Sequence, residues 1–178
     1  MMFISLGIGT AVAVALIVVV SILTGGTVRY TNTPPTNALV GTSVKGFTLA
    51  GLNGGRVSAP WVSGHPGVVI FFASWCGPCK AEMPKVAAYL SHHREGNVRV
   101  IGVDTGDLRS AGLGFVTRAG VTFPVAFDPS TSVASGIFHF IGIPETVFVN
   151  ANGVVIQVYS GAIPKDELAK GIAALRSA

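Results

Sequence analysis

The chain has 178 residues with twelve basic and eight acidic side chains, which gives a formal net charge of +4 and an isoelectric point near 9.4. The basic residues are scattered, without a cluster or interleaved aromatic residues, so the composition argues against nucleic-acid binding. The two cysteines, Cys76 and Cys79, form one Cys-x-x-Cys pair and leave none for a structural disulfide, so cysteine usage does not indicate the redox compartment.

The N-terminal stretch from Phe3 to Leu23 contains no charged residue. A helix of this length, at about 1.5 Å per residue, crosses the roughly 30 Å hydrocarbon core of a bilayer, so we predict a transmembrane signal-anchor within residues 1–24. The alternative is a cleaved signal peptide, which normally has a shorter apolar core and an A-x-A-like cleavage site. The first basic residue, Arg29, follows the span, so the positive-inside rule does not favour export of the C-terminal part.

Residues 25–40 are rich in Gly, Thr, Asn and Pro, include Pro34-Pro35 and show no hydrophobic period. This composition predicts a flexible juxtamembrane linker. The remaining residues 41–178 are enough for one domain with one hydrophobic core.

The domain begins with the apolar residues 47–49, and residues 52–57 then turn at Asn53-Gly54-Gly55 into a second apolar stretch. This pattern predicts a β-hairpin, and Trp61 is expected to pack beside it in a structural role. The run from Val68 to Phe72 is made of β-branched and aromatic residues, which is typical of a strand buried on both faces.

An amphipathic helix follows that strand, because apolar residues recur at i, i+3, i+4 and i+7: Met83, Val86, Ala87 and Leu90. It is expected to extend to about His93, with a kink at Pro84 and with His92 and His93 exposed. The Cys-x-x-Cys pair therefore lies at the start of a helix.

A helix N-terminus stabilises a thiolate, since its first N–H groups lack intrahelical acceptors and carry the positive end of the macrodipole. We expect the pKa of Cys76 to fall towards the roughly 7 typical of a thioredoxin-like pair, while the deeper Cys79 keeps its proton longer. Cys76, exposed at the start of the helix, would then attack a partner disulfide, and Cys79 would resolve the mixed disulfide. Gly77 permits the tight turn, and Pro78 suits the first helical turn.

The alternative interpretations of the two cysteines are half of a zinc site and a pair of buried structural cysteines. The sequence contains no second Cys-x-x-Cys and no His-x-x-x-His that would complete a tetrahedral set of ligands. A redox pair is therefore favoured.

Further elements follow from the same patterns. Residues 98–103 predict a buried strand, 108–119 a helix, 121–128 a short strand and 130–138 a second short helix. Asp104 and Asp107 are expected in the loop after the first of these strands, where they bind a metal ion or cap the next helix; capping is favoured. Residues 145–150 and 154–160 predict a hairpin, and a last helix starts at Pro164 with its buried face on Leu168, Ile172 and Leu175.

The residues around the cysteines resemble a known family. Trp75-Cys76-Gly77-Pro78-Cys79-Lys80 is similar to the thioredoxin active site, and the longer string from Phe71 to Pro84 resembles the membrane-anchored TlpA/ResA/CcmG-like branch. A second block, Gly142-Ile143-Pro144-Glu145-Thr146, supports the resemblance, which covers about residues 41–178. It implies an α/β thioredoxin fold with a mixed central sheet, extended by the N-terminal hairpin and carrying an inserted strand and helix.

The resemblance also implies site residues beyond the cysteines and Trp75. Pro144, in the loop that faces the dithiol, would follow a cis peptide bond and leave the Ile143 backbone free to pair with substrate. Glu145 either selects partners or is a solvated residue at a strand edge. Ordinary thioredoxins place a buried Asp, the usual proton acceptor for the deeper cysteine, where this chain has Ile70. Glu82, one helical turn after Cys79, is therefore expected to act as the proton acceptor for Cys79. The alternative is that Glu82 only complements the helix dipole.

These features predict a thiol:disulfide oxidoreductase that works through its own dithiol, without a cofactor. The resemblance implies reduction of exported proteins, such as apocytochrome c or its maturation partners, outside the cytoplasmic membrane, with electrons from a membrane thiol donor. The alternatives are a disulfide-forming oxidase and a non-catalytic tethered module that binds client proteins. A peroxidase is not favoured, because a single peroxidatic cysteine with upstream Thr and Pro is not visible.

Overall fold

The computed structural model describes residues 38–93 and 95–177. The predicted span from Phe3 to Leu23 and most of the predicted linker lie outside these residues. Within the described ranges, no helix has both the length and the apolar character needed to cross a bilayer. The division of the chain into anchor, linker and domain stays a prediction.

The described residues form seven strands and three α-helices. The strands are β1 Thr48–Ala50, β2 Arg56–Ser58, β3 Gly67–Phe72, β4 Arg99–Thr105, β5 Val125–Asp128, β6 Glu145–Val149 and β7 Val155–Ser160. The helices are α1 Gly77–His92, α2 Arg109–Ala119 and α3 Lys165–Arg176, and a short 3-10 helix spans Pro60–Ser63.

Five strands make a mixed sheet in the order β5-β4-β3-β6-β7. β3 pairs parallel with β4 and antiparallel with β6, and all six of its residues are buried, as the apolar run predicts. Alternate side chains of β3 enter two cores: Ile70 and Phe72 pack with the cysteines and Met83, whereas Val69 and Phe71 pack on the opposite face. The predicted α/β thioredoxin-type architecture is confirmed.

The helices agree with their hydrophobic patterns. In α1, Met83, Val86 and Ala87 are buried, Leu90 is half-buried, and His92 is exposed at the C-terminal end. In α3, which begins directly after Pro164, the buried residues include the predicted Leu168, Ile172 and Leu175. These faces pack α1 and α3 against the core cluster that contains both cysteines.

The N-terminal hairpin forms as predicted but does not extend the central sheet. β1 and β2 make a separate two-stranded sheet, and the turn at Gly51 meets Ala126 of β5 through an isolated antiparallel bridge. Leu52 N also donates to Val125 O at 2.8 Å. The connection stops there because residues 51–55 form the turn of the hairpin instead of continuing a strand.

Trp61 has the structural role expected from its position after the hairpin. Its ring packs edge-on against Phe47 and Phe138, with centroid distances of 6.0 and 6.3 Å. The contact joins the start of the domain to the segment that follows β5.

The predicted short helix at residues 130–138 is wrong. Residues 132–138 form consecutive turns, because the hydrogen-bond spacing widens along the segment. Ser135 N bonds to Thr131 O, four residues back, but Phe138 N bonds to Val133 O and Phe140 N to Ala134 O. The predicted strand before it is also shorter, since only residues 125–128 pair with β4.

Candidate active site

The cysteines lie at the carboxyl end of β3, where the chain turns into α1. Cys76 is the N-cap residue of α1, and Pro78 occupies the first turn. The two sulfurs form a disulfide of 2.01 Å with a Cα–Cα distance of 5.3 Å, so the structure shows the oxidised pair. Cys79 N lies 3.1 Å from Cys76 Sγ, which places the sulfur of Cys76 at the helix N-terminus as the sequence predicts.

The disulfide is less exposed than expected. Cys76 is only 4% exposed and Cys79 is fully buried, whereas the sequence predicts an exposed Cys76 at the start of the helix. Burial follows from the loop before β6, which brings Ile143 O to 3.7 Å from Cys76 Sγ. The predicted difference in depth between the two cysteines is retained.

The peptide bond between Ile143 and Pro144 is cis, as the family resemblance implies. Ile143 is half-buried, and its carbonyl oxygen faces the disulfide. Pro144 O accepts a hydrogen bond from Gly161 N at 2.8 Å, which fixes the loop to the end of β7. The two motifs that carry the resemblance therefore meet in space.

Glu145 has neither of the two expected roles. It is fully buried in β6, in register with Phe71 of β3 and Ser160 of β7, because the strand pairs on both sides. Its Oε2 lies 3.0 Å from Ser160 Oγ, and burial raises its pKa. Glu145 is therefore neither a solvated edge residue nor a charged group presented to partners.

Glu82 is buried on the side of α1 that carries Cys79. Its Oε1 accepts a hydrogen bond from Ile163 N at 2.7 Å, while Oε2 receives none from the described part of the chain. Burial raises the pKa of Glu82 to about 7, although the Ile163 bond opposes this. Glu82 is therefore a buried carboxyl group with a raised pKa, one helical turn from Cys79, and its role as the proton acceptor for Cys79 stays a prediction.

A cavity of about 280 Å³ adjoins Glu82 between α1 and the start of α3. Its lining includes Lys85, Tyr89 and Lys165 in addition to Glu82 and Ile163. Water that enters this cavity would lie beside the carboxyl group, which gives Glu82 a route for proton exchange.

The loop between β4 and α2 holds the segment just before Cys76. Asp107 accepts hydrogen bonds from Ser74 N at 2.5 Å, from Ser74 Oγ at 3.0 Å and from Leu108 N at 2.7 Å. The indole of Trp75 donates to Gly106 O at 3.1 Å. Asp107 therefore anchors the strand-to-helix turn, and the predicted capping role is wrong because Leu108 is the N-cap of α2.

Asp104 is not a loop residue, because β4 continues to Thr105 and buries its carboxyl group completely. The metal alternative for the two acids gains no support, since residues 38–93 and 95–177 contain no group of three potential metal-binding side chains. Sequence reasoning missed the link to Ser74. One signal was available: the loop after β4 and the turn after β3 lie at the same edge, because the carboxyl ends of parallel strands meet there.

Three large apolar side chains are exposed in the segments that build the site: Trp75 at 62%, Leu108 at 73% and Ile141 at 83%. Trp75 precedes Cys76, Leu108 follows Asp107, and Ile141 lies in the loop that ends at Pro144. The sequence identifies only Trp75, since exposure of a loop residue depends on tertiary packing.

The AhpC/TSA family matches residues 40–158, which include the disulfide, the cis-proline loop and the central sheet as far as Val158 in β7. The chain belongs to the AhpC/TSA family.

Curated relatives within this thioredoxin-like family include the thiol-disulfide oxidoreductase ResA of Bacillus subtilis strain 168. It is 29% identical over 123 residues, which cover 69% of this chain and 68% of the relative. ResA of Geobacillus kaustophilus is 26% identical over 149 residues, covering 83% and 85% of the two chains.

Solved structures show the same relationship. The structure of MTB DsbF in its mixed oxidised and reduced forms has a TM-score of 0.65 and 31% identity, covering 72% of this chain and 94% of that chain. A secreted Mycobacterium tuberculosis disulfide oxidoreductase homologous to E. coli DsbE has a TM-score of 0.63 and 26% identity, covering 72% and 96%. This AhpC/TSA member is a thiol:disulfide oxidoreductase of the ResA and DsbE type, with Cys76 and Cys79 as its cysteine pair.

Proposed function

We propose that this chain reduces disulfides of exported proteins, such as apocytochrome c or its maturation partners, on the outer side of the cytoplasmic membrane. Cys76 attacks the client and Cys79 resolves the mixed disulfide. The observation that carries the proposal is the placement of the Cys76 sulfur at the start of α1, 3.7 Å from Ile143 O, with Cys79 buried behind it.

The reaction is two successive exchanges. The Cys76 thiolate attacks one sulfur of the client disulfide, and the other sulfur leaves as a thiolate. Deprotonated Cys79 then attacks Cys76, which forms the Cys76–Cys79 disulfide and releases the client with two thiols. The chain ends in the oxidised state, and a membrane thiol donor must return two electrons before the next cycle.

The site residues have separate roles in this scheme. Gly77 and Pro78 shape the turn that places Cys76 at the helix N-terminus, and the main chain at Ile143 and Pro144 lines the approach of an extended client. Glu82 serves as the proton acceptor for Cys79. The cysteine pair is the redox centre, so the scheme uses no bound cofactor.

Cysteine variants test the assignment of the attacking sulfur. Cys79→Ala should accumulate mixed disulfides with client proteins, because Cys76 attacks and nothing resolves the product. Cys76→Ala should accumulate none. Non-reducing electrophoresis of cells that express each variant gives the answer: trapping through Cys79 would reverse the roles, and trapping by neither would favour a client-binding module.

The direction of electron flow is tested by the reduction potential. The Gly-Pro dipeptide between the cysteines is that of thioredoxin, whose couple is near −270 mV, compared with about −120 mV for the oxidant DsbA. Equilibration of the purified full chain with glutathione redox buffers should give a value close to that of thioredoxin. A value close to that of DsbA would support the alternative, a disulfide-forming oxidase.

The location rests on the uncharged span from Phe3 to Leu23 and on the resemblance to membrane-anchored proteins. A tag after Ala178 should remain in the membrane fraction and be digested by external protease in cells without a wall. A soluble, shortened product would show a cleaved signal, and protection from protease would place the domain inside.

A further inference from the structure

We propose that Asp104 and Asp107 share one proton and act as positioning residues that hold Ser74 and Trp75, and through them the sulfur of Cys76, in place for attack. Loss of the shared proton weakens the hydrogen bonds between Asp107 and Ser74, so that the turn before Cys76 is no longer fixed. The inference deepens the proposed function, since it assumes that Cys76 is the attacking sulfur.

Asp107 is the direct link to the site. Two of its three hydrogen bonds come from Ser74, which is separated from Cys76 by Trp75 alone. Its third, from Leu108 N, fixes the carboxylate to the start of α2. A carboxylate with three donors is held in one orientation. Asp107 therefore fixes the turn before Cys76 relative to the start of α2.

Asp104 is completely buried in β4, three residues before Asp107. In register it stands between Phe72 of β3 and Phe127 of β5, and its carboxyl group contacts α2 so closely that a Cβ on Gly112 would lie 2.0 Å from Oδ2. Neither carboxyl oxygen receives a hydrogen bond from a donor in the described ranges. An ionised Asp104 would therefore be an unpaired buried charge, which is strongly unfavourable.

A proton on Asp104 removes this difficulty. The protonated carboxyl group donates its O–H to the Asp107 carboxylate, and the two acids then form one hydrogen-bonded unit. Burial, the charge of Asp107 and this bond raise the pKa of Asp104 to about 8. Burial alone would raise the pKa of Asp107, but the bonds from Ser74, Leu108 and Asp104 hold it below its ordinary value.

The other charged groups near Asp104 and Asp107 do not neutralise an ionised Asp104. Arg109, in the first turn of α2, lowers the pKa of Asp104 only in part. Its guanidinium donates to Gly51 O and Leu52 O and stacks over Phe127 at 4.3 Å. Asp128 on β5 accepts hydrogen bonds from Ser132, Val133 and Ala134 instead.

The consequence is a pH-dependent position of the turn before Cys76. As the pH rises through about 8, Asp104 releases its proton to water, and two carboxylates then face each other in a buried site. Their repulsion displaces Asp107 and loosens its bonds to Ser74. The bond from the Trp75 indole to Gly106 O, next to Asp107, changes with it.

A spectroscopic test reads this change without any catalysis. The chain contains two tryptophans, so the full chain with ¹⁵N-labelled indoles in detergent gives two indole signals, and Trp61→Phe assigns them. In the oxidised wild type, the Trp75 signal should shift with a midpoint near pH 8. Asp104→Asn, whose amide N–H still donates to Asp107, should abolish the shift, whereas Glu82→Gln and the matched buried variant Asp128→Asn should retain it.

A kinetic test shows whether the hydrogen bonds between Asp107 and Ser74 affect attack by Cys76. Stopped-flow measurements give the rate constant for attack by Cys76 on a peptide disulfide. Above pH 8, this rate constant should be up to about 100-fold lower in the wild type than in Asp104→Asn at the same thiolate fraction, because displacement of an attacking atom by about 1 Å can slow a reaction by that factor. At pH 7 the two proteins should react alike. Ser74→Ala, which removes the Oγ bond and leaves both acids in place, should slow the attack at every pH.

The two tests separate the possible failures. If the chain reduces no disulfide, the proposed function fails, but the Trp75 titration still reports on the carboxyl pair. A Trp75 signal that does not move between pH 6 and 9.5, or that moves equally in Asp104→Asn, would overturn the positioning role even if reduction is fast. An adequately folded Asp104→Asn with wild-type pH dependence of attack would overturn it as well.

Discussion

The two cysteines of the disulfide are supported by different kinds of buried carboxyl groups. On the Cys79 side, Glu82 has one occupied oxygen, one without a hydrogen bond from the described residues, and a cavity beside it. On the Cys76 side, Asp107 is bonded on both oxygens to the main chain and to Ser74. The first arrangement permits proton exchange, and the second fixes a position.

This difference matches the separate needs of the two exchange steps. The resolving thiol needs a proton acceptor, since a buried Cys79 has no direct access to water. The attacking sulfur at a helix N-terminus is already stabilised as a thiolate and needs a defined location. The comparison predicts that changes at the two carboxyl sites affect different steps.

The largest effect is expected from Glu82→Gln. Without a proton acceptor, resolution of the mixed disulfide should slow by about 10²- to 10⁴-fold, while the first attack changes little. Stopped-flow fluorescence of Trp75 resolves the two phases. Unchanged resolution between pH 6 and 9 would show that Cys79 is deprotonated by another route.

Asp107→Asn should give the opposite pattern with a smaller effect. An amide presents only one acceptor oxygen, so its NH₂ group faces either Ser74 or Leu108, both of which donate to Asp107 in the wild type. We expect the first attack to slow by up to about 100-fold and resolution to be retained. Equal slowing of both phases in the same instrument would mean that Asp107 serves the fold as a whole.

The pH dependence of the free energy of unfolding should distinguish Glu82 from Asp104. A carboxyl group with a raised pKa binds its proton more tightly in the folded state, so its stabilisation is complete below the ordinary pKa and is lost as the pH rises through the raised one. The relevant intervals are 4.5 to about 7 for Glu82 and 3.8 to about 8 for Asp104. Each group can lower the free energy of unfolding by at most about 1.4 kcal/mol per pH unit in its interval.

Urea denaturation of the oxidised chain at several pH values measures these slopes. Asp104→Asn should remove the decline between pH 7 and 8, and Glu82→Gln should leave that part of the curve intact. A decline above pH 7 that persists in Asp104→Asn would assign the titration to another group.

The smallest effect is expected from Glu145→Gln. Glu145 adjoins the cis-proline and is buried, but it accepts its hydrogen bond from the Ser160 hydroxyl on β7, away from the segment that precedes Cys76. Both phases of the stopped-flow reaction should match the wild type. A changed rate in either phase would show that burial of any carboxyl group at this edge perturbs the dithiol, and the contrast between Glu82 and Asp107 would lose its meaning.

Local patterns were sufficient for much of the fold. The run that forms β3 and the 3.6-residue period of α1 depend on neighbouring residues alone, so both follow from the sequence. The contact between Cys76 and Ile143 joins residues far apart in the chain, and only the resemblance to a family predicted it.

The errors arise where tertiary structure determines burial. Glutamate side chains are mostly exposed, but Glu145 is buried because β6 pairs with strands on both sides. Aspartate is depleted in strands, yet Asp104 continues β4, and burial raises its pKa. The sequence shows two acids in this segment, but not that one of them is buried beside the other.

The N-terminal segment of the domain touches both outer strands of the central sheet. Gly41 N donates to Val155 O and Val155 N to Thr42 O at the beginning of β7, and about ten residues later Leu52 N donates to Val125 O on β5. Open strand edges promote association between chains. A shortened version that starts after residue 55 would therefore expose backbone groups at opposite sides of the sheet, and soluble versions for crystallisation or screening should begin at or before Gly41.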